Sequence, residues 1–404
     1  MTSSIKNPGT RDVSVDNIRT LALIWVVIGH AVCGYSHVTQ WWWFVPEPDP
    51  SGIADAAMVI LPLGLLVPLF FLAGYMVGPS LERRGFRRYW VERLRRLGVP
   101  WLFCTLMVSP LLMYIWSRQR DQATEGYLAY LKQFFAGYSQ PYVGLIDELN
   151  ATDRHYLWWH QLWFIPTVLL FGAIAHALRP LVGRAGSAVA ADKGGRILMF
   201  WVLLSTVAVC ITSVYLPDYK PNAFIISNLL AIFQPRHLLY LGVFLAGFQL
   251  ERQGYKLSAL PGARSKWTYA LLLPSYGLFV AGLAGILQGE VTARDPAHWL
   301  ETLGIIATSW ALILATARLT RDLTHSSKLL SKLAPASMQM YFNHYLICVG
   351  ANLAVAPLAV PTALKLALSC VIALPLSVAG ALHPRIAVFV VCALHVALIL
   401  PEVL

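Results

Sequence analysis

Apolar residues recur along the chain in runs of about 18 to 22, each long enough at 1.5 Å per residue to cross a ~30 Å hydrocarbon core. The runs lie near 18–38, 56–79, 98–116, 158–178, 197–216, 231–250, 267–287, 298–317, 336–356, 362–380 and 386–402, with short polar stretches between them. This pattern predicts an all-α fold, a polytopic transmembrane helical bundle of 10 or 11 spans. Prolines inside the runs (Pro62, Pro68, Pro110, Pro166, Pro235, Pro274, Pro375) kink helices and free carbonyls, which a membrane tolerates where a neighbouring helix or a polar cavity satisfies them. A polar interior cavity is therefore expected. Neither an internal repeat nor a low-complexity linker divides the chain, so residues 1–404 read as a single transmembrane domain.

Composition excludes a soluble globule: 57% of residues are hydrophobic and 13% charged, against about a quarter charged in soluble domains. Charge then orients the bundle. The stretch 80–97 carries seven basic and two acidic residues, and 179–196, 251–266 and 318–333 each carry four basic and one acidic. The alternate connection 117–157 has four basic and five acidic residues. Basic loops stay in the cytoplasm, which predicts a multi-pass cell-membrane protein with a cytoplasmic N-terminus, an external 117–157 loop and, with an odd span count, an external C-terminus. The net charge of +11 is then topological, and nucleic acid is not an expected partner. Arg11, Asp12 and Asp16 precede the first run without a small-residue cleavage site, as in an uncleaved signal anchor. Six cysteines, all within apolar runs, lack metal-site or disulfide spacing and read as buried thiols, and no bound metal is expected.

Ionisable groups at bilayer depth are expensive and mark candidate function. His30 follows Arg19 by eleven residues, so the two project from nearly one helical face, ~16 Å apart along the axis. Asp16 lies one turn below Arg19. The competing reading of His30 is a packed imidazole bonded to a neighbouring helix. In SLERRGFRRYWVERLRRLGVP, Arg93 and Arg96 run straight into a span, where planar guanidinium forks suit phosphate oxygens. The earlier arginines, 83 to 88, read equally well as contacts to anionic headgroups. Arg236, His237 and His344, the last three residues after Tyr341, also fall within runs and point to a shared interior cavity. Trp41 to Trp43 and Trp158 to Trp159 read as an aromatic belt at the outer interface, or as a stacking platform for an acceptor.

These residues together resemble the acyltransferase-3 family of integral membrane acyltransferases. The resemblance runs through VSVDNIRTLALIWVVIGH, with Asp16, Arg19 and His30 spaced D-x-x-R-x10-H, then LFFLAGYMVG with Tyr75, RLRRLGVP, LWFIPTVLLFG with Trp163, and MYFNHYLI with Tyr341 and His344. The arginine segment is also similar to the branch containing glucan-succinylating proteins. One more residue precedes Pro100 than in many relatives, and no hydrolase-like domain follows, which implies transfer completed alone or with a separate partner.

The resemblance implies acyl transfer from cytoplasmic acyl-CoA, a substrate rather than a bound cofactor, to a hydroxyl of a glycan, lipid-linked sugar or secondary metabolite. An imidazole with an ordinary pKa of ~6.5 can take the alcohol proton during attack on a thioester. The expected catalytic residues are His30, Asp16 and His344, with Arg19, Arg93 and Arg96 binding the donor and Tyr75, Trp163, Arg236, His237 and Tyr341 lining the cavity. Whether His30 acts as base or carries the acyl group is open, as is assembly into a homo-oligomer. The competing class is a transporter moving a glycan or acyl group, against which stands the absence of a repeat between halves.

Overall fold

The computed structural model describes residues 13–40, 42–120, 125–138, 143–146, 162–182, 191–215, 224–227, 231–233, 236–286, 295–325 and 327–403. Their helices are α1 (Val13–Val32), α2 (Gly52–Tyr75), α3 (Val77–Arg84), α4 (Phe86–Arg93), α5 (Val99–Phe103), α6 (Ser109–Arg118), α7 (Tyr127–Tyr138), α8 (Phe164–Ala177) and α9 (Ala191–Tyr215). They continue with α10 (Arg236–Arg252), α11 (Pro261–Arg264), α12 (Leu272–Ile286), α13 (Pro296–Asp322), α14 (Lys328–Val355), α15 (Thr362–Leu382) and α16 (Pro384–Val403). Every expected span falls mainly on a helix, although the one expected from 231 begins in a short strand, Ala231–Phe233, before its helix starts at Arg236. Among the described residues, seven helices are long and apolar enough to cross a membrane: Val13–Tyr35, Phe86–Arg118, Gly194–Val214, Lys266–Gly285, Pro296–Asp322, Thr362–Leu382 and Pro384–Val403. The other four expected spans fall on α2, α8, α10 and α14. Three short strands, β1 (Val143–Ile146), β2 (Phe224–Ser227) and β3 (Ala231–Phe233), add a small antiparallel sheet to the helical bundle, in the order β1-β2-β3.

The third span differs most from its expected bounds. Helix begins at Phe86, twelve residues earlier than expected, so the arginine segment is an extension of the span and not a loop. Gly85, at φ 71°, makes the turn from α3 that a residue with a Cβ would resist. Two π-helical turns, Leu94–Gly98 and Cys104–Val108, interrupt the helix. Each ends two residues before a proline: Val99 N–H donates to the Leu94 carbonyl ahead of Pro100, and Ser109 N–H to that of Cys104 ahead of Pro110. A proline ring clashes with the carbonyl four residues back and offers no N–H, so the preceding turn widens.

Burial separates core helices from lipid-facing ones. In α13, 78% of the apolar window is buried, and in α1 67%, against 6% in α16. Cys392 on α16 is accordingly exposed, unlike the buried Cys33, Cys104 and Cys348. Helices approach closely through glycine. A Cβ on Gly74 would sit only 1.9 Å from the Phe244 carbonyl oxygen and one on Gly247 2.3 Å from that of Phe71, so α2 and α10 pack antiparallel almost backbone to backbone. Gly282 and Gly304 serve the α12/α13 pair in the same way.

Helices α1 and α14 pack in parallel along their length. Arg19 donates to the Ala334 carbonyl (3.0 Å), Cys348 to that of Val27 (3.4 Å) and Asn352 to that of Ala31 (3.1 Å). Asn17 ties the start of α1 to the α13–α14 turn through the Leu323 and His325 carbonyls. This arginine-rich end of the bundle also holds α3, whose Glu82 faces Arg179 at 3.9 Å. At the opposite end, the segment after α1 is clamped by the buried Lys365–Glu47 ion pair (2.9 Å), by Thr362 on the Asp49 carbonyl (2.9 Å) and by Arg120 on the Gln40 and Trp43 carbonyls (3.0 and 2.9 Å).

Candidate active site

His30 lies two residues before Val32 ends α1, near the end opposite the arginines and not at mid-span as the apolar run suggested. Because α1 begins at Val13, five residues earlier than expected, its numbering carries His30 further through the bundle. The His30 Nδ1 lies 2.8 Å from the Val26 carbonyl, an acceptor, so this nitrogen carries the proton and donates. The basic lone pair is left on Nε2.

Parallel packing places His344 of α14 beside it. The two imidazoles meet edge to face with centroids 4.9 Å apart. His344 Nδ1 likewise donates to a carbonyl of its own helix, Tyr341, at 2.6 Å. Its Nε2 is buried and has no hydrogen-bond partner among the described residues. One site thus holds two imidazoles in the same tautomer, each fixed by a backbone carbonyl and each with a basic Nε2.

Around them stands an aromatic wall. The Tyr345 ring is 4.4 Å from His30 and the Trp43 ring 5.9 Å. Trp43 is fully buried, and its indole N–H donates to Asn352 Oδ1 at 2.7 Å. Asn352 Nδ2 in turn bonds the Ala31 carbonyl and Ser369 Oγ, both at 3.1 Å, and Ser369 meets the Tyr35 hydroxyl at 2.7 Å. Trp43 therefore belongs to the interior and not to an aromatic belt. Trp41, Trp158 and Trp159 lie outside the described residues, as does Pro235.

The other expected residues separate into groups. Asp16 precedes His30 by fourteen residues, ~21 Å along the axis. It pairs with Arg19 at 3.1 Å and orients neither imidazole. Arg93 and Arg96 part company. Arg96 is 73% exposed and bridges to Glu92 (3.4 Å), whereas the Arg93 Nε is buried and its guanidinium lies 5.5 Å from the Tyr89 ring. Tyr75 donates to the Tyr255 carbonyl at 2.9 Å, at the arginine-rich end and away from the imidazoles.

Tyr341 joins the histidine site, 5.3 Å from the His344 ring, and connects it through Phe164 (5.8 Å) and Phe70 to the Trp163–His237–Tyr240 cluster. His237 bonds Thr167 (3.2 Å), and Arg236 bridges to Glu301 at 2.8 Å. The cavity beside Arg236 and Glu301 is only about 10 Å³. That holds one water at most and no acceptor.

Tyr345, Asn352 and Glu301 escaped the sequence reading, and the inward place of Trp43, read there as part of an outer belt or a stacking platform, escaped it too. A signal existed for Tyr345 and Asn352: Tyr341, Tyr345, Cys348 and Asn352 follow i, i+4, i+7, i+11 spacing on one face of α14. None existed for Trp43, whose loop is placed by distant partners.

Fold and site together define a multi-pass membrane protein with a paired-imidazole centre between two parallel helices. Residues 12–382 match the acyltransferase-3 family model, described as an acyltransferase domain. The chain belongs to that family and is a membrane acyltransferase. No curated protein and no solved structure matches it.

Proposed function

We propose that the chain transfers an acyl group from cytoplasmic acyl-CoA to a hydroxyl of a glycan, lipid-linked sugar or secondary metabolite, with His30 as general base. The observation that carries this reading is the pair of imidazoles whose Nδ1–H groups are both committed to backbone carbonyls, leaving two Nε2 lone pairs in one buried site. His30 is the half-buried member and His344 the fully buried one. His30 therefore meets the hydroxyl, and His344 beside it can share the proton.

In the proposed step the acceptor oxygen attacks the thioester carbonyl carbon while Nε2 of His30 takes its proton. The tetrahedral oxyanion collapses, the carbon–sulfur bond breaks, and the departing thiolate recovers the proton from the imidazolium, giving the ester and free CoA. Arg19 and Arg93 hold donor phosphates, and the exposed Arg96 adds to the basic field around them. The purified protein in detergent, given acyl-CoA and acceptor in one compartment, is expected to release CoA and acylate the acceptor. A carrier would do neither.

In this reading the protein lies in the cell membrane, and the basic segments support an orientation with its arginine-rich end in the cytoplasm. Reporters inserted after Gly186 and after Ala123 are expected to read cytoplasmic and external respectively. The reverse result would put the donor on the wrong side of the membrane.

A further inference from the structure

Beyond α1 the chain turns back across the helix end that carries His30. Thr39 Oγ1 donates to the Cys33 carbonyl (2.7 Å), Glu47 N–H to that of Gly34 (2.8 Å) and Ser51 N–H to that of Tyr35 (2.8 Å). A Cβ on Gly34 would stand 2.5 Å from the Val45 carbonyl oxygen and 3.0 Å from the Trp43 ring, so the crossing needs a glycine. Trp43, Phe44 and Val45 are buried beneath it. The Trp43 ring lies 5.9 Å from His30 and 5.4 Å from Tyr345, whose own ring is 5.0 Å from His344. Asn352 stands eight residues beyond His344 on α14, ~12 Å along the axis away from the arginines. Its Oδ1 takes the indole N–H at 2.7 Å, so the indole occupies the space between the imidazoles and the level of Asn352.

A buried carboxamide is costly unless its donors and acceptor are met. Asn352 is 2% exposed, and its Nδ2 bonds the Ala31 carbonyl and Ser369 Oγ at 3.1 Å and meets the Tyr35 hydroxyl at 3.4 Å. Ala31 directly follows His30, so one side chain ties α1, α14, α15 and the crossing segment together beside the imidazoles. Arg120 and Lys365 hold that segment through the Gln40 and Trp43 carbonyls and the Glu47 carboxylate. The indole has a single donor, and Asn352 holds it.

We propose that Asn352 is a positioning residue for the transfer: by seating Trp43 over the imidazole pair it closes this end of the site to water, so that the thioester goes to the acceptor hydroxyl. This rests on the acyl-CoA reading above. Water can follow the same route as an alcohol. Its oxygen attacks the carbonyl carbon, Nε2 of His30 takes its proton, the carbon–sulfur bond breaks and the thiolate recovers the proton, giving free acid and CoA. A transferase with a ready base must therefore keep water from it while the donor is bound. The half-buried face of His30 is left for the substrates.

The test uses the full chain in detergent with acetyl-CoA or succinyl-CoA and no acceptor, and reads acid and CoA released. Asn352→Leu keeps the volume without the bonds, and Trp43→Phe keeps an aromatic ring without the N–H. Each is expected to raise hydrolysis of the bound donor about three- to tenfold, the population change that one lost neutral hydrogen bond allows, with donor affinity by calorimetry unchanged. The double variant is expected to be no faster than the faster single, because both lose the same bond. Adding His30→Gln is expected to abolish the gain, and a gain that survives it would overturn the proposal. Hydrolysis at or below the wild-type rate in both single variants, with donor binding intact, would leave Asn352 and Trp43 as packing residues and overturn the proposal without touching the donor reading. Should Asn352→Leu fail to insert, Trp43→Phe alone decides. A wild-type chain that binds neither acyl-CoA would remove the donor reading, and this proposal with it.

Discussion

Purified His30→Gln is expected to insert normally and bind acyl-CoA like the wild type while losing about 10²–10⁴-fold in turnover, the contribution usual for a positioned general base. Glutamine can keep a donor toward the Val26 carbonyl, so the bond that fixes the ring (2.8 Å) has a replacement. It cannot take a proton at neutral pH. Packing against Trp43 and Tyr345 is only partly lost, since His30 is half-buried. The measurements are CoA release, acceptor acylation and donor binding by calorimetry. Near-normal turnover would remove His30 from the chemistry and leave His344, whose Nε2 lies in the same site, as the candidate base.

The largest effect on stability is expected from Glu301→Ala. Its carboxylate is 2% exposed and takes the Arg236 guanidinium at 2.8 Å. Removing one partner of a buried ion pair costs about 3–5 kcal/mol because the other charge loses its counter-ion. The lower part of that range applies, since the Arg236 side chain keeps 22% of its surface exposed. Thermal unfolding in detergent measures the loss. The double variant Arg236→Met with Glu301→Leu is expected to recover most of it, because apolar replacement of both partners removes the desolvation penalty together with the attraction. A double variant that is stable yet inactive would instead give the pair a place in acceptor handling.

The helical part of the fold was legible because a bilayer imposes its own ruler: each expected span falls mainly on a helix, and the prolines that close the two π-helical turns stand in the sequence. Bounds were less legible where helix outruns apolar composition. Phe86 to Gly98 is helical although it is densely charged, since water at the membrane surface tolerates a helix as readily as a loop. The same effect shifted His30, because α1 starts within its polar leader. The short strands carry no comparable signal. Each holds three or four residues, and although β2 and β3 pair locally, β1 exists only through pairing with β2 some eighty positions away, as Val143 with Ser227.

Of the site, the sequence by itself determined the chemical types: an imidazole eleven residues beyond Arg19, a second imidazole in a late span, and a cluster of arginines at one end. Helical periodicity placed Arg19 and His30 on one face because 3.6 residues per turn is a local property. Tertiary structure alone decided which groups meet. It brought His344 to His30 through the parallel register of α1 on α14, turned Trp43 inward through the Asn352 bond, gave Arg236 to Glu301, and separated Arg93, whose Nε is buried, from the exposed Arg96. Those outcomes depend on pairs 65 to 314 positions apart or on the facing helix, and a one-dimensional pattern carries the period of each helix but not the rotation of one helix against another.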